Sequence, residues 1–272
     1  MIMRAHLSVL ALLLGMPLCS RLAAASELLD AIHDQNIGRV SSAIKSGADV
    51  NAKDEEGFFP LYYSIAYDSP ELTLLLLEAG ADVHQKGPRY AMPMIAHAAA
   101  IGNMKIVQQL LHYKADPKAK DKFGGTAIEE AAYNGFGKIA KLLTNHGAHS
   151  RWPAHVAAGL GDQIKLRKLI PTLDDIDAEC PGWKTTPLHF AASGGSHEAC
   201  KMLLEAGASP SKKNRFGTTP LHIAADAGNV PLVRLLLSKG ADPSQRDDDD
   251  VVPGQFSQDA EIRRLLERHR RF

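Results

Sequence analysis

The chain has 272 residues, of which 45% are apolar and 23% charged, enough apolar material for a sizeable folded core. Its 31 basic and 31 acidic side chains cancel, and without a basic excess the chain lacks the electrostatic footprint of a nucleic-acid binder.

In chain order, the first segment stands apart. Arg4 lies in Met1–His6, Leu7–Leu14 is apolar apart from Ser8, and Ala23-Ala24-Ala25 precedes Ser26. A cationic start, a short apolar run and a small-residue site predict a secretory signal peptide at 1–25, cleaved near Ala25-Ser26. The run is too short for a permanent bilayer span, so no stable membrane insertion is expected. Cleavage removes Arg4 and Arg21 and leaves a slight acidic excess. The expected location is the periplasm or the medium.

Self-similarity begins after residue 26. A closing motif recurs as Gly47-Ala48-Asp49, Gly80-Ala81-Asp82, Lys114-Ala115-Asp116, Gly147-Ala148-His149, Leu173-Asp174-Asp175, Gly207-Ala208-Ser209 and Gly240-Ala241-Asp242. The steps are 33, 34, 33, 26, 34 and 33 residues. A fixed period of this length marks a repeat stack. The phrase Thr-Pro-Leu-His occurs at Thr186–His189 and again at Thr219–His222. In each copy the Thr caps a first helix and the Pro (Pro187, Pro220) sits in its first turn, where no amide donor is needed. Ala191-Ala192 and Ala224-Ala225 allow close helix packing, and Gly195 and Gly228 reverse the chain. A second helix follows with an apolar face, such as Val233, Leu235, Leu236 and Leu237, and ends at a Gly able to turn left-handed. A polar, extended finger leads to the next copy. The run Asp259–Arg271 predicts a last helix, with Ile262, Leu265 and Leu266 inward and its Arg residues in water.

These motifs resemble the ankyrin-repeat family over about residues 27–272, and more narrowly its exported bacterial members. The resemblance implies an all-α repeat solenoid: stacked helix-turn-helix units with β-hairpin-like fingers, about eight units including caps. It also implies that His155, His189 and His222 are structural and bond backbone between neighbouring units.

One step is short. Pro153 lies six positions after Gly147, against thirteen from Gly207 to Pro220, so the finger before the fifth unit is missing or reduced. The stack is read as blocks 26–150 and 151–272, either one continuous stack or two subdomains meeting near residue 150.

Chemistry is sparse. Cys180 falls in a finger, whereas Cys200 aligns with Val233 on an apolar helix face and is expected to be a buried thiol. His146, His149 and His155 lack metal-ligand spacing, and no nucleophile elbow, zinc-protease or phosphate-loop motif occurs. No catalytic residue, metal or cofactor is expected, and the chain is read as no enzyme. The distinctive side chains are on the fingers. Counting back four residues from each unit's Pro-equivalent position gives Tyr90, Phe123, Trp183 and Phe216, and Phe58 lies near the corresponding place in the second unit. Lys212, Lys213 and Arg215 flank Phe216, opposite the acidic run Asp247–Asp250. These residues are the expected partner contacts, since aromatic anchors dominate many interfaces; the alternative is that each aromatic only packs on its neighbour.

The resulting expectation is a monomeric, non-catalytic scaffold that binds, and modulates or protects, another protein after export. Resemblance to exported bacterial ankyrin proteins implies a catalase-like enzyme or a toxin as partner, the latter making the chain an immunity protein. The alternative is a secreted effector that binds a host protein.

Overall fold

The computed structural model describes residues 27–270; the expected signal peptide at 1–25, with its cleavage point at Ala25-Ser26, lies outside them. The chain divides after Asp116 into two compact units. That boundary differs from the block boundary expected at residue 150, which falls inside the second unit.

In the first unit, helical residues 27–33 are followed by α1 (Ile37–Lys45), α2 (Pro60–Ala66), α3 (Pro70–Glu78), α4 (Met94–Ile101) and α5 (Met104–His112). The second contains α6 (Ala127–Tyr133), α7 (Gly137–Asn145), α8 (Pro153–Gly159), α9 (Gln163–Leu169), α10 (Pro187–Ser193), α11 (His197–Glu205), α12 (Pro220–Asp226), α13 (Val230–Ser238) and α14 (Ala260–Arg270). A 3-10 turn, Ile170–Thr172, follows α9. The described residues hold no strands: the expected hairpin-like fingers are turns, with isolated bridges at Lys86–Pro93 and Cys180–Thr185.

Local chemistry sets these helices. In most helix pairs the second helix starts at a polar side chain that accepts the backbone N–H three residues on: Asn36, Ser69, Asn103, Asp162, Ser196 and Asn229. Such caps satisfy donors that the helix itself leaves open. Burial then joins the pairs. Leu203, Cys200, Leu232, Val233 and Leu236 have no exposed surface. At the C-terminal end Ile262 and Leu266 are buried beneath the exposed Arg263, Arg264 and Arg268. An apolar stripe under charge closes a stack that otherwise ends on an open core face.

Thr-Pro-Leu-His is a clamp between neighbouring repeats. His189 Nδ1 accepts the Thr186 backbone N–H at 3.2 Å, so Nε2 carries the proton and donates to the Thr218 carbonyl at 3.1 Å. His222 does the same with Thr219 N–H (3.2 Å) and the Val251 carbonyl (3.1 Å). His155 lacks the Thr but keeps the other half, reaching the carbonyls of Ala178 (3.0 Å) and Thr185 (3.2 Å). Pro187 and Pro220 are buried at the first helical position.

Burial holds both His155 and His189 down to about 4, against 6.5 for the free side chain. The unfolded chain therefore binds more protons than the native one between about pH 6.5 and 4, and native stability present above that window drains as pH falls through it. At 1.36 kcal/mol per pH unit each group contributes on the order of 3 kcal/mol. His189→Asn is expected to make the slope of unfolding free energy against pH shallower by about one proton in this window. Urea titrations at several pH values check this, and an unchanged slope would remove His189 from the account.

Candidate functional site: an aromatic cleft in the second unit

The finger turns follow one rule. Asp121, Asn214 and Asp247 each donate their backbone N–H to the carbonyl four residues on, at 2.9 Å, and take that residue's N–H on the side-chain oxygen. Asx side chains mimic backbone in this way and hold tight turns. Residue i+2 stands at the tip, which places Phe123 and Phe216 there. Asp54 makes the same turn in the first unit, but its aromatic, Phe58, is residue i+4. Phe58 is accordingly half-buried and packs on Tyr62, ring centres 4.6 Å apart.

The finger before α10 departs from the rule. Cys180 takes the Asx place, its N–H donating to Thr185 O at 2.9 Å and its Sγ lying 2.8 Å from Thr185 Oγ1. One extra residue is accommodated because Gly182 and Lys184 both turn left-handed, with φ of 91° and 51°. Trp183 is carried at this longer tip.

Residues 146–152 are all that join α7 to α8, whereas 206–219 join α11 to α12. No finger projects before α8, and the fingers on either side of it meet. A Cβ on Gly182 would stand 2.6 Å from the Phe123 Cβ, so only glycine permits the approach. Phe123, Trp183 and Phe216 then form a continuous row, ring centres 6.3 and 5.4 Å apart. Backbone bonds hold the fingers in step: Arg215 N–H donates to Trp183 O (2.8 Å) and Asp248 N–H to Phe216 O (3.0 Å). The same compression brings α6 against α10, past α8.

Between this row and the first helices lies a cleft of about 380 Å³. Phe123, Trp183 and Phe216 wall it on the finger side, with Trp152 beside them. Asp121, Glu129, Glu130 and Tyr133 come from the fourth repeat, Cys180 and Phe190 from the sixth. Glu129 stands where later repeats carry the clamp histidine. Its Oε2 accepts the Thr126 N–H at 3.0 Å and its Oε1 accepts the Ser150 hydroxyl at 2.6 Å. A histidine Nε2–H would need a carbonyl from a following finger, and here that finger is absent; a carboxylate takes the hydroxyl offered instead. Burial, with Asp121 and Glu129 adding to it, pushes the Glu130 carboxyl up to about 7.

The residues expected to contact a partner thus fall into separate groups. Phe123, Trp183 and Phe216 are brought together. Arg215 lies over Phe123, its Cζ 4.6 Å from the ring centre. Lys212 pairs with Glu179 at 3.3 Å, and Lys213 donates to the Arg246 carbonyl at 2.7 Å. Asp247 is a turn residue rather than a free charge, and Asp250 pairs with Arg246 at 2.9 Å. Phe58 and Tyr90 belong to the first unit. Tyr90 is 41% exposed, with a left-handed φ of 60°. That unit has its own ring cluster: Tyr62 stacks on His97 (4.9 Å), and Tyr63 Oη donates to Asp54 Oδ2 at 2.5 Å. The inner-helix members of both clusters, and the acids of the cleft, carry no repeat-to-repeat pattern that points to them; the substitution of Glu129 at the clamp position was the available signal.

Cys180 and Cys200 are free and buried. Burial raises both thiols, Cys200 to about 12, so little reactive thiolate exists at neutral pH. Alkylation by iodoacetamide at pH 7.5 is expected to label neither in the native chain within an hour and both in denaturant, read by mass spectrometry. Rapid native labelling of Cys200 would contradict its burial. Among the described residues no helix is long and apolar enough to cross a membrane.

A family model described as "Ankyrin repeats (3 copies)" matches residues 94–180 and 154–247. The ankyrin repeat protein nuc-2 of Neurospora crassa is 32% identical over 148 residues, 52% of this chain and 14% of that protein. A putative ankyrin repeat-containing protein of Treponema pallidum is 30% identical, covering 43% of this chain and 40% of the relative. The putative ankyrin repeat protein YahD of Escherichia coli is 25% identical, over 67% of this chain and 96% of YahD. The chain therefore spans less than half the length of the first two relatives. The crystal structure of the ankyrin repeat domain of Bcl-3 aligns with 89% of this chain and 97% of that one, at a TM-score of 0.41 and 22% identity.

Proposed function

The chain belongs to the ankyrin-repeat family, whose repeats mediate protein–protein interaction, and we propose that it is an exported, non-catalytic scaffold that binds a partner protein through the cleft of its second unit. The observation that carries this reading is the row Phe123–Trp183–Phe216, in which a backbone bond joins the Trp183 and Phe216 fingers and the row is left partly open to solvent, with Phe216 45% exposed. Rigid aromatic anchors beside a cleft are what a binding hot spot requires, because they lose little entropy on contact.

Export is supported by Arg4, Leu7–Leu14 and Ala23–Ala25. A catalase-like enzyme or a toxin remains the partner class that the likeness to exported bacterial relatives suggests. Pull-down from periplasmic extract, followed by mass spectrometry and N-terminal sequencing of the bait, tests both parts. The reading expects one dominant captured protein and a mature bait beginning at Ser26. A bait retaining Met1 in the cytoplasmic fraction would overturn export; capture of no protein above background would overturn the binding role.

A further inference from the structure

The cleft has a chemistry that an all-purpose apolar groove lacks. Its walls are aromatic faces, and behind them Glu130 presents a carboxyl with no hydrogen bond or ion pair from any described side chain or backbone group. Asp121 and Glu129, which share the lining, are held by neutral donors: the Phe123 and Gly125 amides at 2.8 Å for Asp121, and Thr126 N–H and the Ser150 hydroxyl for Glu129. Cations of the chain lie over rings of the lining, Arg215 and Lys122 over Phe123, 4.6 and 5.7 Å from its centre, and Arg151 over Trp152 at 5.7 Å, and among the described residues none of them forms an ion pair with an acid of the cleft.

The sign of the ligand follows. An anion would face three acidic groups. A neutral apolar group would bury Glu130 without a partner, which is costly. A cation on an apolar stem gains on both sides, because its charge is attracted to ring faces and to the carboxylate together. A planar cation suits flat walls better than a compact ammonium, and guanidinium both stacks and bonds a carboxylate with two parallel N–H donors. Arg215 on Phe123 is an instance of that stacking within the molecule. A volume of about 380 Å³ is at the small end for ligand pockets and holds one long side chain with the backbone that carries it.

We propose that the cleft receives one arginine side chain of the partner protein, its guanidinium against the Phe123–Trp183–Phe216 row and bonded to Glu130. This rests on the protein-binding reading above and adds the chemistry of the residue recognised.

The test uses the full mature chain. Its two tryptophans, Trp152 and Trp183, both line the cleft, so intrinsic fluorescence reports on it directly. The probes are N-acetyl-arginine methylamide and the citrulline analogue, which has the same shape without the charge. The arginine probe is expected to bind saturably in the millimolar range, about what so small a ligand can reach. The citrulline probe should bind at least tenfold more weakly. Glu130→Gln, nearly isosteric and uncharged, should weaken the arginine probe tenfold and leave the citrulline probe unchanged, with circular dichroism unaltered. Equal binding of the two probes, no saturation, or arginine binding indifferent to Glu130→Gln would overturn the proposal. If the probe fails while Trp183→Ala/Phe216→Ala still abolishes partner capture, the arginine assignment falls and the binding reading stands.

Discussion

Gly194→Ala is expected to lower the stability of the second unit by about 3 kcal/mol, near the upper end of what overpacking costs. The cause is a close backbone approach between neighbouring first helices. A Cβ on Gly194 would lie 1.9 Å from the Gly159 carbonyl oxygen, and one on Gly159 would lie 2.2 Å from the Ala132 oxygen. The first helices α6, α8 and α10 therefore pack at a separation that only glycine permits, and a methyl group must force them apart. Gly194 has an ordinary helical backbone, φ −70°, so the effect is packing and not strain. Gly137, with nothing within 4 Å of its virtual Cβ, is the control: Gly137→Ala should be neutral or stabilising by up to about 1 kcal/mol, the usual helix preference. Urea unfolding followed by tryptophan fluorescence reads both, since Trp152 and Trp183 report on this region alone. A Gly194→Ala chain as stable as the native one would mean that α8 and α10 are not packed as described.

The second large effect concerns binding. Trp183→Ala combined with Phe216→Ala should weaken partner affinity by more than about 100-fold, since a hot-spot aromatic is worth roughly 2 kcal/mol or more when truncated. Helical circular dichroism should survive, because Trp183 is half-buried and Phe216 is 45% exposed, both on finger tips outside the helix core. Lys239→Ala, at an exposed position outside the cleft lining, serves as the control, and affinity should change less than threefold. Equal loss from both variants would point to a diffuse electrostatic contact rather than to the aromatic row.

Much of the fold was legible because ankyrin-type repeats write their local rules openly. Thr186, Pro187 and His189 mark a helix start by capping chemistry, and the period then carries that reading to weaker copies such as Pro153–Ala158. The shortened step after Gly147 was equally plain. Its consequence was not. Loss of one finger lets Phe123 meet Gly182 and Trp183, and that contact depends on three-dimensional closure between residues some sixty positions apart. The same closure assembles the cleft, so Glu130, Tyr133 and Phe190 carried no mark in the linear pattern. Phe58 shows the opposite limit. Counting positions placed it near the finger-tip row, but its turn starts at Asp54 and leaves it as residue i+4, facing Tyr62. Turn register, rather than distance from the helix, decides which aromatic reaches a tip.

The central claim, that another protein docks in the cleft of the second unit, is tested most directly by site-specific photo-crosslinking in the cell. A photo-reactive side chain at Asn134, which lines the cleft at the end of α6, should yield a discrete higher-mass adduct with the partner. The same group at Lys239, exposed at the end of α13 and outside the cleft lining, should yield none. Adducts at Lys239 with none at Asn134 would contradict the account.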